Sequence, residues 1–151
     1  MSDKTQKYWK DFIQKYPEYK NVEIPNAEHF CDNEKEANEL AILTLNGLKT
    51  GTCGALSSYE YYKGDLPKVG DLWIVTDFDK NPLCVTRTIK VTKIAYKDVT
   101  EVWAKKEGEG DLSLEYWQKS HWDFFERDLI AYGKKPSENM ILVCEEFEVF
   151  I

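Results

Sequence analysis

The sequence predicts an α+β domain: a small, mostly antiparallel β-barrel flanked by helices, with a helical extension in front. Three observations carry this. Short apolar runs bounded by Gly, Pro, Asn and Asp fill the middle and the end of the chain. Helical periodicity is confined to the first fifty residues and to one later insertion. The two kinds of segment do not alternate in the regular way of a βαβ array. The 151 residues, 42% hydrophobic and 14% aromatic, suffice for one domain with a real core. Residues 1–29 are read as the helical extension, packed on a domain spanning residues 30–151.

Each element has a local cause. Tyr8, Trp9, Phe12, Ile13 and Tyr16 fall at the spacing of an amphipathic helix over residues 5–16, which Pro17 stops. Residues 19–30 are irregular. Asn33, with Glu36 three residues on, forms a variant capping box. The helix it starts carries Ala37, Leu40, Ala41, Thr44, Leu45 and Leu48 on one face and ends at Gly47. Residues 52–62 read as a strand, followed by turns at Lys63-Gly64-Asp65 and Leu66–Asp71 and a second strand over residues 72–76. Residues 77–82 form a hairpin connection by their Asp, Asn and Pro content. The long strand over residues 83–96 shifts its apolar phase at Ile94, which places a bulge there. Residues 99–106 form a short helix. Glu107-Gly108-Glu109-Gly110-Asp111 is a flexible acidic loop, and Asp111 or Ser113 caps a helix bearing Leu114, Trp117, His121 and Phe125. A last strand covers residues 141–151.

Composition excludes several classes. No run approaches the roughly 18 apolar residues of a membrane span, and the first residues carry no apolar core of a secretory signal. Four cysteines without a C-x-x-C pair, and only two histidines, give neither a metal nor a disulfide framework and suit a cytoplasmic protein without cofactors. A net charge of −7 disfavours duplex DNA, whose affinity comes from neutralised phosphates. It leaves room for a nucleoside, a nucleotide or a short single-stranded RNA. Between Asp79 and Asp98 there is no acid, while Lys80, Arg87, Lys90, Lys93 and Lys97 form a local basic stripe. Arg87 shares the parity of the apolar residues, so it needs an acceptor: a protein carboxylate or a ligand.

The stretch richest in chemistry is Gly47-Leu48-Lys49-Thr50-Gly51-Thr52. Its G-x-K-x-x-T spacing puts an ammonium and a threonine hydroxyl at one turn, with Gly47 free to take positive φ. The bland reading is a helix-ending glycine followed by a solvated lysine. His121 reads most simply as a buried, hydrogen-bonded histidine among aromatics.

The combination of G-L-K-T-G-T-C with L-P-K-V-G-D-L-W-I-V and W-A-K-K-E-G-E-G-D-L-S-L-E-Y-W-Q-K-S-H resembles the longer bacterial branch of the ASCH-domain family, from about Phe30 to Phe150. The resemblance implies a PUA-like barrel with a ligand cleft at the G-x-K-x-x-T turn and a role with RNA or nucleotides. A shorter branch is similar to enzymes that deacetylate N-acetylated cytidine; carried over, its catalytic lysine, threonine and glutamate fall on Lys49, Thr52 and Glu107. Two functions follow as expectations. One is a binding module in which Gly47, Thr50, Arg87, Trp117 and His121 contact a ligand, with Lys49, Arg87 and Lys90 holding phosphate and Trp73, Trp103 or Trp117 stacking a base. The other is a small amidohydrolase or ribonuclease centred on Lys49, Thr52 and Glu107. A non-catalytic regulatory or interaction protein is the third.

Overall fold

The computed structural model describes all 151 residues. Five helices surround one five-stranded sheet: α1 (Asp3–Lys15), β1 (Ala27–Glu28), α2 (Glu34–Leu45), β2 (Gly51–Ala55), α3 (Leu56–Tyr62), β3 (Leu72–Thr76), β4 (Pro82–Ala95), α4 (Glu101–Glu107), α5 (Leu114–Leu129) and β5 (Ile141–Phe150). The strand order is β1-β3-β4-β5-β2, antiparallel except for the two-residue β1, which lies parallel to β3. No ladder joins the edge strands β1 and β2, so the hydrogen bonding forms one five-stranded sheet and does not by itself close the expected barrel.

Side-chain alternation along β3 and β4 distributes the helices. Ile74 and Val85 are paired across the ladder and pack with Trp9 and Phe12 of α1. The next pair, Val75 and Cys84, points to the opposite face and packs with Ala41 of α2 and with Phe147. A third cluster joins α5, through Trp117, Phe125 and Leu129, to Ala55, Tyr96, Val99, Leu142 and Cys144. The sheet thus has apolar layers on both faces, and the cleft described below opens where α2, α4 and α5 meet its β2 edge.

Local signals read from the sequence account for most boundaries. The Asn33 side chain accepts from Glu36 N–H at the start of α2, and Ser113 does the same for Tyr116 at the start of α5. Two expectations are corrected. The run over residues 52–62 is a strand only as far as Ala55; Leu56–Tyr62 is helical. Tyrosine favours strands by packing rather than by backbone preference. Here Tyr61 stacks on Tyr132 with centroids 4.6 Å apart, and Ser57 and Ser58 bond the Tyr132 hydroxyl, so contacts with the 3-10 turn that follows α5 hold a helix. The bulge in β4 falls at Ile89, not Ile94: Thr88 pairs with Phe147 and Lys90 with Glu146, leaving Ile89 unpaired and exposed.

The expected basic stripe is largely neutralised by register. β5 lays Glu148 opposite Arg87 and Glu146 opposite Lys90, while Lys80 pairs with Glu28 of β1. No helix is long and apolar enough to cross a membrane.

Candidate functional site

α2 ends at Leu45, and Gly47, at φ +74°, turns the chain back. Both Leu48 N–H (2.9 Å) and Lys49 N–H (3.1 Å) then donate to the Leu43 carbonyl. Thr50 is held on two sides: its N–H donates to Lys106 O at 2.7 Å, and its carbonyl accepts from Phe147 N–H at 3.0 Å. This clamp between the end of α4 and β5 drives Lys49 inward, to 1% exposure. Gly108, at φ +70°, ends α4 directly against this turn. A Cβ there would lie 2.3 Å from the Leu48 carbonyl oxygen, so only glycine allows the two turns to touch.

The contact places five ionisable groups together. Lys49 Nζ lies 3.4 Å from Glu107 Oε1 and 3.5 Å from Glu109 Oε2, with the Phe30 ring centroid at 5.1 Å. Glu107, equally buried, accepts at Oε2 from Trp103 Nε1–H (2.9 Å) and from Trp117 Nε1–H. His121 Nε2 is 3.2 Å from the same oxygen, and the Cys53 thiol 3.6 Å. Trp103 reaches Glu107 because Gly51 leaves room for its indole; a Cβ on Gly51 would sit 2.9 Å from that ring.

Hydrogen bonding fixes the state of His121. Its Nδ1 is 2.8 Å from the Trp117 carbonyl, which can only accept, and its Nε2 faces a carboxylate. Both nitrogens therefore carry protons, and the imidazolium lies flat on the Trp117 indole at 4.1 Å. Burial by itself would lower the His121 pKa; the Glu107 charge and hydrogen bond outweigh it, leaving it above its ordinary value. Burial likewise works against the Lys49 charge, but Glu109 and Glu107 raise its pKa overall. Glu107 is the mirror case: desolvation would raise it, and His121 and Lys49 hold it well below the usual carboxylate range.

These groups floor a cleft of about 70 Å³, open to solvent on one side. The Lys49 cluster and Thr52 form its polar part together with Glu36 and Ser120 at the α2 and α5 sides, while Phe30, Leu40 and Phe124 form an apolar wall; Glu36 is engaged by the Cys31 thiol and the Asn33 side chain, both at 2.8 Å. The volume holds a few waters or one edge of a planar group. Donor atoms of Cys53, Glu107 and His121 lie within 4.8 Å of one another. They suit a metal poorly, since the shared Glu107 oxygen already takes two indole N–H groups beside two cations.

Of the residues expected from sequence, Lys49, Thr52, Glu107 and His121 line this one cleft. Gly47 shapes the turn behind it. Thr50 points its hydroxyl at Lys106 O (3.3 Å), away from the cavity. Trp117 is at the site but is 2% exposed and stacked on His121, so it serves Glu107 as a donor and offers no free face to a base. Arg87 is not brought to the cleft. The acceptors it needs are Glu148 on β5 and the Tyr19 hydroxyl. Sequence reasoning missed Glu109, Cys53 and the role of Trp103. The available signals were the i, i+4 pairs Trp103–Glu107 and Trp117–His121, and the Glu107-x-Glu109 spacing.

An α+β domain with a buried lysine–glutamate–histidine cluster at a glycine turn is the class that fold and site define. Residues 26–150 match the ASCH domain family, and the chain belongs to it. It is similar to the crystal structure of an ASCH domain from Lactobacillus crispatus, with 34% identity, a TM-score of 0.92, and coverage of 99% of this chain and 95% of the other. A second similar crystal structure is of a protein from Enterococcus faecalis, with 32% identity, a TM-score of 0.90, and coverage of 99% and 90%. No match was found among curated proteins.

Proposed function

We propose that this ASCH domain binds a nucleoside, free or within single-stranded RNA, by inserting a neutral hydrogen-bonding edge of the base into the Lys49 cleft. The supporting observation is the pairing of Lys49 and His121 with two carboxylates on the floor of a small cavity with an apolar wall. A phosphate there would meet Glu107 and Glu109 as well as Lys49, so the expected phosphate-holding role of Lys49 is set aside. A planar, uncharged group with donors and acceptors on its rim meets no such repulsion, and the Phe30 and Phe124 rings suit its faces.

Hydrolysis of a small acyl amide on that base is the second reading, favoured by the convergence of Lys49, Thr52 and Glu107 on one cavity. Lys49, held charged, does not act as a base. It would stabilise the oxyanion formed when the Thr52 hydroxyl attacks the acyl carbon. The threonine proton would pass through a carboxylate to the departing amine, and water would then cleave the acyl-threonine ester.

The test is calorimetric titration of N-acetylated cytidine and cytidine into the wild-type protein, with chromatography for product. Thr52→Ala, which removes a hydroxyl without touching the ion pairs, serves as the comparison. Binding by both proteins, with product only from wild type, supports the hydrolase reading. Binding without product supports the module alone, and no binding by wild type overturns both.

A further inference from the structure

We infer that Glu109, rather than Glu107, is the carboxylate that meets the ligand, and that it selects a base edge carrying an N–H donor next to an acceptor. This rests on the nucleoside-binding reading of the cleft and names its recognition chemistry.

Glu107 has little left to offer. Lys49 occupies Oε1, and two indole N–H groups, His121 and Cys53 converge on Oε2. Each carboxylate oxygen has about two lone-pair sites, so Oε2 is oversubscribed, and the site left on Oε1 belongs to a side chain only 1% exposed. Glu109 differs in each respect. Its one close polar partner is Lys49, at 3.5 Å; His121 Nε2 stays at 3.9 Å, beyond hydrogen-bond reach. Its side chain keeps 15% exposure and lines the cleft.

The loop that carries it follows a path that its glycines define. Gly108 is pressed on Leu48, and Gly110, at φ +57°, lies where any Cβ would be 2.4 Å from the Tyr116 ring. Leu112 N–H closes the turn on Glu109 O at 3.1 Å, and Asp111 Oδ1 accepts from Ser113 N–H. Two glycines in the left-handed region therefore fix the residue between them over the cavity.

The pair it forms with Lys49 defines the complement. The ammonium has three donors and two carboxylate neighbours, so one donor remains for a ligand. Glu109 supplies an acceptor beside it. A base presenting an exocyclic N–H next to a ring acceptor, as cytosine does, satisfies both.

The experiment is a protein–ligand double comparison by calorimetry. Wild type and Glu109→Gln are each titrated with cytidine and with its analogue dimethylated on the exocyclic amine, which lacks the N–H. Wild type is expected to prefer cytidine by about 10- to 100-fold, the range of a hydrogen bond to a charged group. Glu109→Gln, which keeps a carbonyl acceptor but not the charge, is expected to cut that preference to below about 10-fold while its Tm stays close to wild type. An unchanged preference in Glu109→Gln, or equal binding of the two ligands by wild type, overturns the assignment to Glu109. Wild type binding neither ligand overturns the nucleoside reading itself, and this inference with it.

Discussion

Lys49 and Arg87 are chemically alike in outline. Each cation faces a carboxylate, and each lies over an aromatic ring, Phe30 at 5.1 Å and Phe150 at 5.2 Å. They differ in solvent. Lys49 and Glu107 are both 1% exposed, whereas Arg87 and Glu148 are 40% and 42% exposed. In water-screened surroundings an ion pair contributes little, since solvent competes for both partners. In the interior a charge stripped of its partner is strongly destabilising, so the buried Lys49–Glu107 pair stands or falls together. The same residue types therefore form a site in one place and a surface contact in the other.

The largest expected effect comes from breaking the buried unit. Lys49→Met leaves Glu107 and Glu109 sharing His121 as their one remaining cation, and should cost about 3–5 kcal/mol in urea unfolding. A loss below about 1 kcal/mol would place the cluster on the same footing as Arg87. Next is the seam that assembles it. Gly108→Ala must accommodate a Cβ against backbone at positive φ, and should cost about 3 kcal/mol, combining overpacking with left-handed strain. Circular dichroism melts check this, with Gly64→Ala, which meets open space, as the neutral reference.

The pH response sharpens the contrast further. The Glu107 pKa is depressed on folding, so its stabilisation is present above its ordinary value, near 4.5, and is lost as pH falls below it. The His121 pKa is raised, so its stabilisation is complete below about 6.5 and is lost as pH climbs through the raised value. Stability should thus peak in mildly acid solution and decline on the alkaline side. His121→Phe should flatten that alkaline arm; an arm of unchanged slope would remove His121 from the unit. The smallest effect belongs to the surface pair. Arg87→Met should cost less than about 1 kcal/mol and shrink further in high salt.

The same distinction explains what the sequence made legible. The caps at Asn33 and Ser113 depend on atoms three residues away, so they could be read directly, as could the helical stripes of α1 and α5. The helix over Leu56–Tyr62 could not, because Tyr132, seventy residues on, decides it. Nor could the neutralisation of Arg87 and Lys90, which needs the register that sets Glu148 and Glu146 opposite them. At the site, the Gly47–Thr52 motif pointed to Lys49 and Thr52, and the family resemblance to Glu107. Glu109 was hidden in a stretch whose two glycines suggested looseness. The close approach of Gly108 to Leu48 and of Gly110 to Tyr116 gives those glycines a packing role that the sequence does not reveal.

The most direct test of a charge-balanced cleft is to titrate wild-type protein with cytidine and with cytidine 5′-monophosphate under identical salt. If Lys49 is already neutralised by Glu107 and Glu109, the phosphate stays outside, and the two affinities should agree within about threefold. A monophosphate bound a hundredfold more tightly would mean that the ammonium is available to anions. That result would contradict the balanced cluster on which the reading of this site depends.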